Sequence, residues 1–160
     1  MKLEILVSAV NEDVDTLAER MNLQADAIIV NQCGENTYRE YSYQEHRIRC
    51  YSFAERGVGL SRNNCLMRAQ GDICLFADED IIYRPGAVRA IEAEFEKNPD
   101  ADMILFNMDV PEDRATYHID GYGRVRWYNC GRYPTYSFAA RTEKLREANI
   151  AFSLLFGGGA

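Results

Sequence analysis

A chain of 160 residues is long enough to bury a core as one domain, and 47% hydrophobic with 27% charged residues is the make-up of a folded globular protein. Acids outnumber Lys and Arg by 25 to 18, for a net charge of −7, which argues against DNA or RNA as a partner but leaves room for a local basic pocket. The five cysteines at 33, 50, 65, 74 and 130 form no C-x-x-C pair, and the two histidines, His46 and His118, lie far apart. Neither a zinc site nor a disulfide framework is indicated, and a reducing cytoplasm fits best. Met1–Val7 is too short, and too interrupted by Glu4, for a signal peptide, and no apolar run reaches membrane-spanning length.

In chain order, Leu3 to Val7 reads as a buried strand. Asn11 is placed to cap a helix, with Glu12 and Asp13 in its first turn and Val14, Leu17, Ala18 and Met21 at helical spacing. Ala27–Val30 is a second apolar run, ending in Asn31-Gln32-Cys33-Gly34. Residues 35 to 46 are polar and tyrosine-rich and carry no assignable pattern. Arg47 to Phe53 alternates as a third strand. Gly57-Val-Gly-Leu-Ser-Arg-Asn63 opens a helix that runs through Ala69, with Gly71 just past it. Ile73 to Ala77 is another buried strand. Pro85 suits the first position of a helix whose inner face is Val88, Ile91 and Phe95, and which Asn98-Pro99 stops. Met103 to Phe106 reads as a buried strand, Ile119 to Trp127 as a hairpin turning at Asp120-Gly121, and Thr142 as the cap of a short helix to Ala148. Alternating strands and helices predict an α/β fold: a mostly parallel sheet with helices on both faces, plus a C-terminal antiparallel hairpin.

In such sheets ligands bind beyond the carboxyl ends of the strands. Three polar clusters fall there: Ser8 to Asn11, Asn31 to Gly34, and Asp78-Glu79-Asp80. Two carboxylates one residue apart project to the same side of an extended segment, so Asp78 and Asp80 address one ligand while Glu79 points away. Hard oxygen ligands suit Mg2+ or Mn2+, which commonly join carboxylates to substrate phosphates. The alternative is an acidic loop, solvated or paired with arginines. A calcium loop is excluded, because Ile82 and Tyr83 occupy its fifth and sixth places. A phosphatase of the haloacid dehalogenase type, in which the first Asp of D-x-D is the nucleophile, is a second enzyme reading. Upstream, the glycines before Ser61-Arg62-Asn63 open a helix whose N–H groups and dipole attract anions, and Arg62 can add a bidentate phosphate contact. Trp127, Tyr128, Tyr133 and Tyr136 read as packing residues rather than a sugar platform, and Cys65 and Cys74 as small core residues.

Taken together, Leu3–Asn11, Ala27–Asn31, Gly59–Asn63, Ala69–Asp80 and the helix begun by Pro85-Gly86 resemble the family 2 glycosyltransferases of Rossmann-like GT-A fold, over most of the chain. The resemblance implies a nucleotide-diphosphate sugar as donor, a UDP-sugar by preference, and transfer to a hydroxyl on a carbohydrate or lipid-linked acceptor in cell-surface polysaccharide or glycoconjugate synthesis. It implies that Ser8, Val10, Asn11 and Asn31 hold the nucleoside. Arg62 would hold the diphosphate, Asp78 the ribose or sugar, and Asp80 with Asp78 an Mn2+ or Mg2+ ion. It places the protein in the cytoplasm, or at the inner face of the membrane through its acceptor. Three departures stand out: Ser8 and Val10 replace the family's Pro and Tyr, Asn31 and Gln32 replace its acids, and Phe156–Ala160 ends before the Glu-Asp pair that carries the general base. The expectation is therefore one donor-binding domain, residues 1–160, truncated at its C-terminus. The catalytic base would lie beyond Ala160, and a nucleotide-sugar binding module without chemistry is the alternative.

Overall fold

Seven strands form one sheet in the order β3-β4-β2-β1-β5-β7-β6 among the residues that the structure, a computed structural model, describes: 1–110, 118, 120–126, 128, 129 and 133–155. The chain runs β1 (Leu3–Val10), α1 (Val14–Arg20), β2 (Asp26–Gln32), β3 (Thr37–Tyr43), β4 (His46–Phe53), α2 (Val58–Arg68), β5 (Ile73–Asp78), α3 (Ala87–Lys97), β6 (Met103–Leu105), β7 (Phe138–Arg141) and α4 (Thr142–Glu147). β1 lies parallel between β2 and β5, and β2 is parallel to β4. The chain thus builds outward from β1 first on one side and then on the other, and the strand order reverses there.

Alternation along the central strands sorts the core into two layers. Ile5, Val7, Ala27, Ile29, Leu75 and Ala77 face α1 and α3, burying Leu17, Met21, Val88 and Phe95. Leu6, Ile28, Val30, Cys74 and Phe76 face α2 and α4, with Cys65, Leu66 and Leu145. This matches the predicted sheet with helices on both faces, as strands buried on both sides should. At the amino end of the sheet, Arg49 donates to Glu4 at 2.7 Å and to the carbonyl of Arg68 at 3.1 Å, tying β1, β4 and the end of α2 together. No described helix is long and apolar enough to cross a membrane.

The structure corrects several local expectations. The helix after β1 is capped by Asp13, whose Oδ1 accepts from the Asp15 N–H at 3.1 Å, not by Asn11. The Asn11 N–H donates to the Gln32 carbonyl at 3.0 Å and extends the β1–β2 ladder, so the chain turns into the helix only two residues later. The unassigned residues 35 to 46 form β3, antiparallel to β4 across Gln44 and Glu45, both at positive φ (47° and 70°). α3 starts at Ala87 rather than at Pro85, because Gly86 takes φ 82° before it. Thr142 is the first residue of α4, not its cap: β7 runs directly into the helix, and the Thr142 N–H is held by the Asp72 carbonyl at 3.0 Å. β6 is a sheet edge with Met103 exposed, not a buried strand. The antiparallel character near the C-terminus comes from β7, inserted between β5 and β6. In the predicted hairpin, described residues 120–126 carry no strand, while Ile119 and Trp127 lie outside the described residues.

Candidate functional site

A cleft of about 520 Å3 opens at the carboxyl ends of the central strands, lined by Ser8, Val10, Gln32, Arg56, Gly57, Val58, Arg62, Asp78, Glu79 and Asp80. The register explains its floor: Ser8 stands opposite Val30 on one side and Asp78 on the other, and Val10 opposite Gln32. Side chains two apart on β1 share a face, so Ser8 and Val10 look into the same space. Ser8 is buried, and its Oγ has no hydrogen-bond partner.

Arg62 reaches from the first turns of α2 to β5, donating from Nη2 to Asp78 Oδ1 at 2.9 Å. Its Nε is buried without a partner. The neighbouring residues of the Gly59–Asn63 stretch hold that helix start. Ser61 Oγ donates to the Val30 carbonyl at 3.3 Å. The Asn63 amide clamps the backbone of Phe152, accepting from its N–H at 2.7 Å and donating to its carbonyl at 3.0 Å. The Phe152 ring packs edge-on against Phe76 and lies under the Arg62 guanidinium. A Cβ on Gly59 would fall 2.2 Å from the Ser153 carbonyl oxygen, so only glycine lets the two backbones meet there.

The three acids do not lie in an extended segment. The Ile81 N–H donates to the Asp78 carbonyl at 3.2 Å, closing a turn, and Glu79 therefore lines the cleft with Asp78 and Asp80 instead of pointing away. Burial, followed by the charges of Asp78, Glu12 and Asp80, holds the Glu79 carboxyl above the ordinary carboxylate range. Arg84, the nearest base in sequence, pairs with Asp109 and not with these acids. Asp80 is exposed and makes no hydrogen bond or ion pair among the described residues. Among the described residues no three His, Cys, Asp or Glu side chains stand together as a metal-holding group.

Of the predicted nucleoside contacts, Ser8 and Val10 line the cleft, while Asn11 and Asn31 stand beside it. The Asn31 amide is engaged with the backbone of Glu12, accepting from its N–H at 3.1 Å and donating to its carbonyl at 2.9 Å, and so shapes the loop after β1. Sequence reasoning set Gln32 in the polar cluster after β2 without a role of its own, turned Glu79 away from the ligand, and missed Arg56. Arg56 is exposed on the cleft wall with no ion-pair partner among the described residues, and nothing in its local sequence marks it.

Residues 5–151 match the family described as glycosyl transferase family 2. The chain belongs to this family. Membership decides between the two enzyme readings of the D-x-D strand against the phosphatase. No curated protein matches. Among solved structures, this family 2 chain superposes on S. aureus TarS 1–349 in complex with UDP-GlcNAc with a TM-score of 0.68 at 16% identity, over 96% of this chain and 49% of that one. Against TarS 1–349 in complex with UDP the TM-score is 0.67 at 18% identity, over 99% and 52%. For S. aureus TarS the values are 0.64 and 17%, over 97% and 31%. The chain thus spans about half the length of the TarS 1–349 structures, and the likeness is one of fold, the GT-A fold of the family.

Proposed function

We propose that the chain is the donor-binding part of a glycosyltransferase that moves a sugar from a nucleotide-diphosphate sugar, a UDP-sugar by preference, to a hydroxyl on a carbohydrate or lipid-linked acceptor in cell-surface polysaccharide or glycoconjugate synthesis. One observation carries this: in a family 2 chain, one cleft at the strand reversal gathers Arg62 and the N-terminus of α2 with Asp78 and Asp80. Two of the TarS structures of the same fold are complexes with UDP or UDP-GlcNAc. The nucleoside would lie against Val10 and Gln32, with the diphosphate toward Arg62, Arg56 and the free N–H groups of α2.

A divalent ion fits the donor set. Asp80 offers a free carboxylate beside Asp78, both hard oxygen ligands, and Mg2+ or Mn2+ completes its shell with water and phosphate oxygens rather than a third side chain. When bound, such an ion supplies Lewis-acid withdrawal of charge from the departing diphosphate. The chain's own part is positional and electrostatic. Arg62, held by Asp78 and by stacking on Phe152, presents preorganised N–H donors where charge develops. The described cysteines are all free, which suits a reducing compartment and supports a reading in which the reaction runs in the cytoplasm or at the inner membrane face.

Thermal melts of the chain with UDP or GDP, in Mn2+ or EDTA, test the proposal. A ligand at about a hundred times its Kd adds about 2.7 kcal/mol of stability, which for a domain of this size raises Tm by roughly 5–10 °C. An unchanged melt with every nucleotide would overturn it.

A further inference from the structure

The sheet keeps one long edge uncovered. β2 and β4 are parallel neighbours, yet no helix connects them. The chain instead runs back as β3 on the far side of β4 and returns through the turn at Gln44 and Glu45. β3 is therefore the outermost strand, seven residues long, paired with β4 residue for residue and without a bulge. Which of its backbone groups face outward follows from β4. The Arg47 N–H donates to Asp26, and the Phe53 carbonyl accepts from Cys33, so the odd residues of β4 turn toward β2 and the even ones toward β3. Their partners on β3 are Thr37, Arg39, Tyr41 and Tyr43. The N–H and C=O groups of Tyr38, Glu40 and Ser42 point away from the sheet and make no hydrogen bond among the described residues. Such an edge is a template for another strand unless Pro, Lys or a bulge guards it. Thr37–Tyr43 contains none of these, and both its charges are engaged inside the chain: Arg39 pairs with Asp15, and Glu40 accepts from Arg47 at 2.8 and 2.9 Å. The other edge, β6, has only three residues and shares its groove with the 121–125 segment.

We infer that β3 pairs antiparallel with β3 of a second copy of this chain, across a twofold axis at Glu40, so that one sheet runs through a symmetric dimer. That register uses every outward group. Glu40 exchanges two hydrogen bonds with its own counterpart, and on each side of the axis Tyr38 exchanges two with Ser42 of the second copy. The strand is its own complement in side chains as well. Thr37 falls opposite Tyr43 of the second copy, a β-branched residue against an aromatic one, and Arg39 falls opposite Tyr41, a cation beside a ring. Like charges meet only at the axis, where each Glu40 already holds its Arg47 in a two-point bond and the charges cancel. An unrelated peptide could match the backbone but not this symmetry, which makes a second copy the occupant. No residue of β3 lines the cleft, so the dimer leaves both clefts open, at opposite ends of the shared sheet. The inference stands independently of the nucleotide reading.

Sedimentation velocity over a concentration series measures the dimer, with a Kd expected on the order of 10 µM for an interface the size of one strand edge. Ser42→Pro removes one outward N–H per copy and leaves the β3–β4 ladder whole, and it should weaken association by about tenfold or more. The register is read by cysteine pairs under mild oxidation, against the unaltered chain as background. Across the axis the two Cα atoms at position 40 stand about 5.5 Å apart, within disulfide reach, whereas those at position 37 stand about 20 Å apart. Glu40→Cys should therefore give a covalent dimer and Thr37→Cys should not exceed background. A monomer at every concentration up to about fifty times the expected Kd overturns the inference. So does a dimer that folded Ser42→Pro leaves unweakened, or one that Thr37→Cys links as readily as Glu40→Cys. If Ser42→Pro does not fold, the sedimentation of the unaltered chain and the two cysteine variants decide.

Discussion

Glu79 is the residue whose setting has the clearest cost. Burial and three neighbouring acids raise its carboxyl pKa above that of the unfolded chain. Between the unfolded and folded values the native state binds more protons, so stability falls as pH rises through that window and stays lowered above it. Glu79→Gln should therefore raise Tm at pH 7 to 8 by about 1–3 °C, since much of the side chain meets water. The gain should vanish near pH 4, and a pH series of melts reads both. Arg62 carries the opposite load. Arg62→Ala removes the partner of Asp78 and the stacking on Phe152, and should weaken UDP binding at least about tenfold more than uridine binding. Equal losses by calorimetry would make Arg62 a structural residue.

At the scale of elements, the α2 start was legible as a wall of the cleft and a candidate anion site because glycines, Ser61 and Arg62 sit at a helix opening. What the glycine is for was not legible. Gly59 makes room for Ser153, more than ninety positions away, and no local pattern reports a long-range backbone contact. Gly59→Ala should push the 151–155 segment off α2 and cost about 1–3 kcal/mol, lowering Tm and increasing proteolysis within that segment. The β3–β4 hairpin was illegible for a related reason. Its two turn residues, Gln44 and Glu45, take left-handed conformations without the Asn-Gly signature that normally announces them. Gln44→Asn with Glu45→Gly should therefore stabilise the chain by about 0.5–1 kcal/mol, measured as a shift of the urea midpoint at constant slope.

For the whole molecule, the periodicity of buried strands and the punctuation by Gly and Pro were enough to place the parallel sheet, its two helical layers and the end of the sheet where the cleft opens. The order of the strands, the insertion of β7 and the edge position of β6 depend on which strands pair across long separations, and periodicity is silent on that. The same holds within the cleft: Asp78 and Asp80 could be read from the strand they follow, whereas the turn that brings Glu79 in with them could not. The metal dependence proposed above would belong to this whole arrangement. Asp80→Ala should abolish the Mn2+-dependent part of the UDP-induced rise in Tm and leave the melt without ligand almost unchanged, because Asp80 is exposed and has no partner among the described residues.

The bond between Arg62 and Asp78 also bears on how binding responds to salt. Three carboxylates and two guanidiniums line the cleft, and one guanidinium is already matched to a carboxylate, in a chain whose net charge is −7. An anion approaching without a metal meets a field that repels it. Added salt shortens the reach of that field from about 10 Å at 0.1 M to about 3 Å at 1 M. In EDTA, then, UDP should bind as well or better as sodium chloride rises, the reverse of the usual loss for a phosphate ligand on a basic surface. With Mn2+ present the sign should invert, since the attraction being screened is then between the ion and the diphosphate. Calorimetric titrations across a salt series, with and without the ion, would show the two slopes crossing.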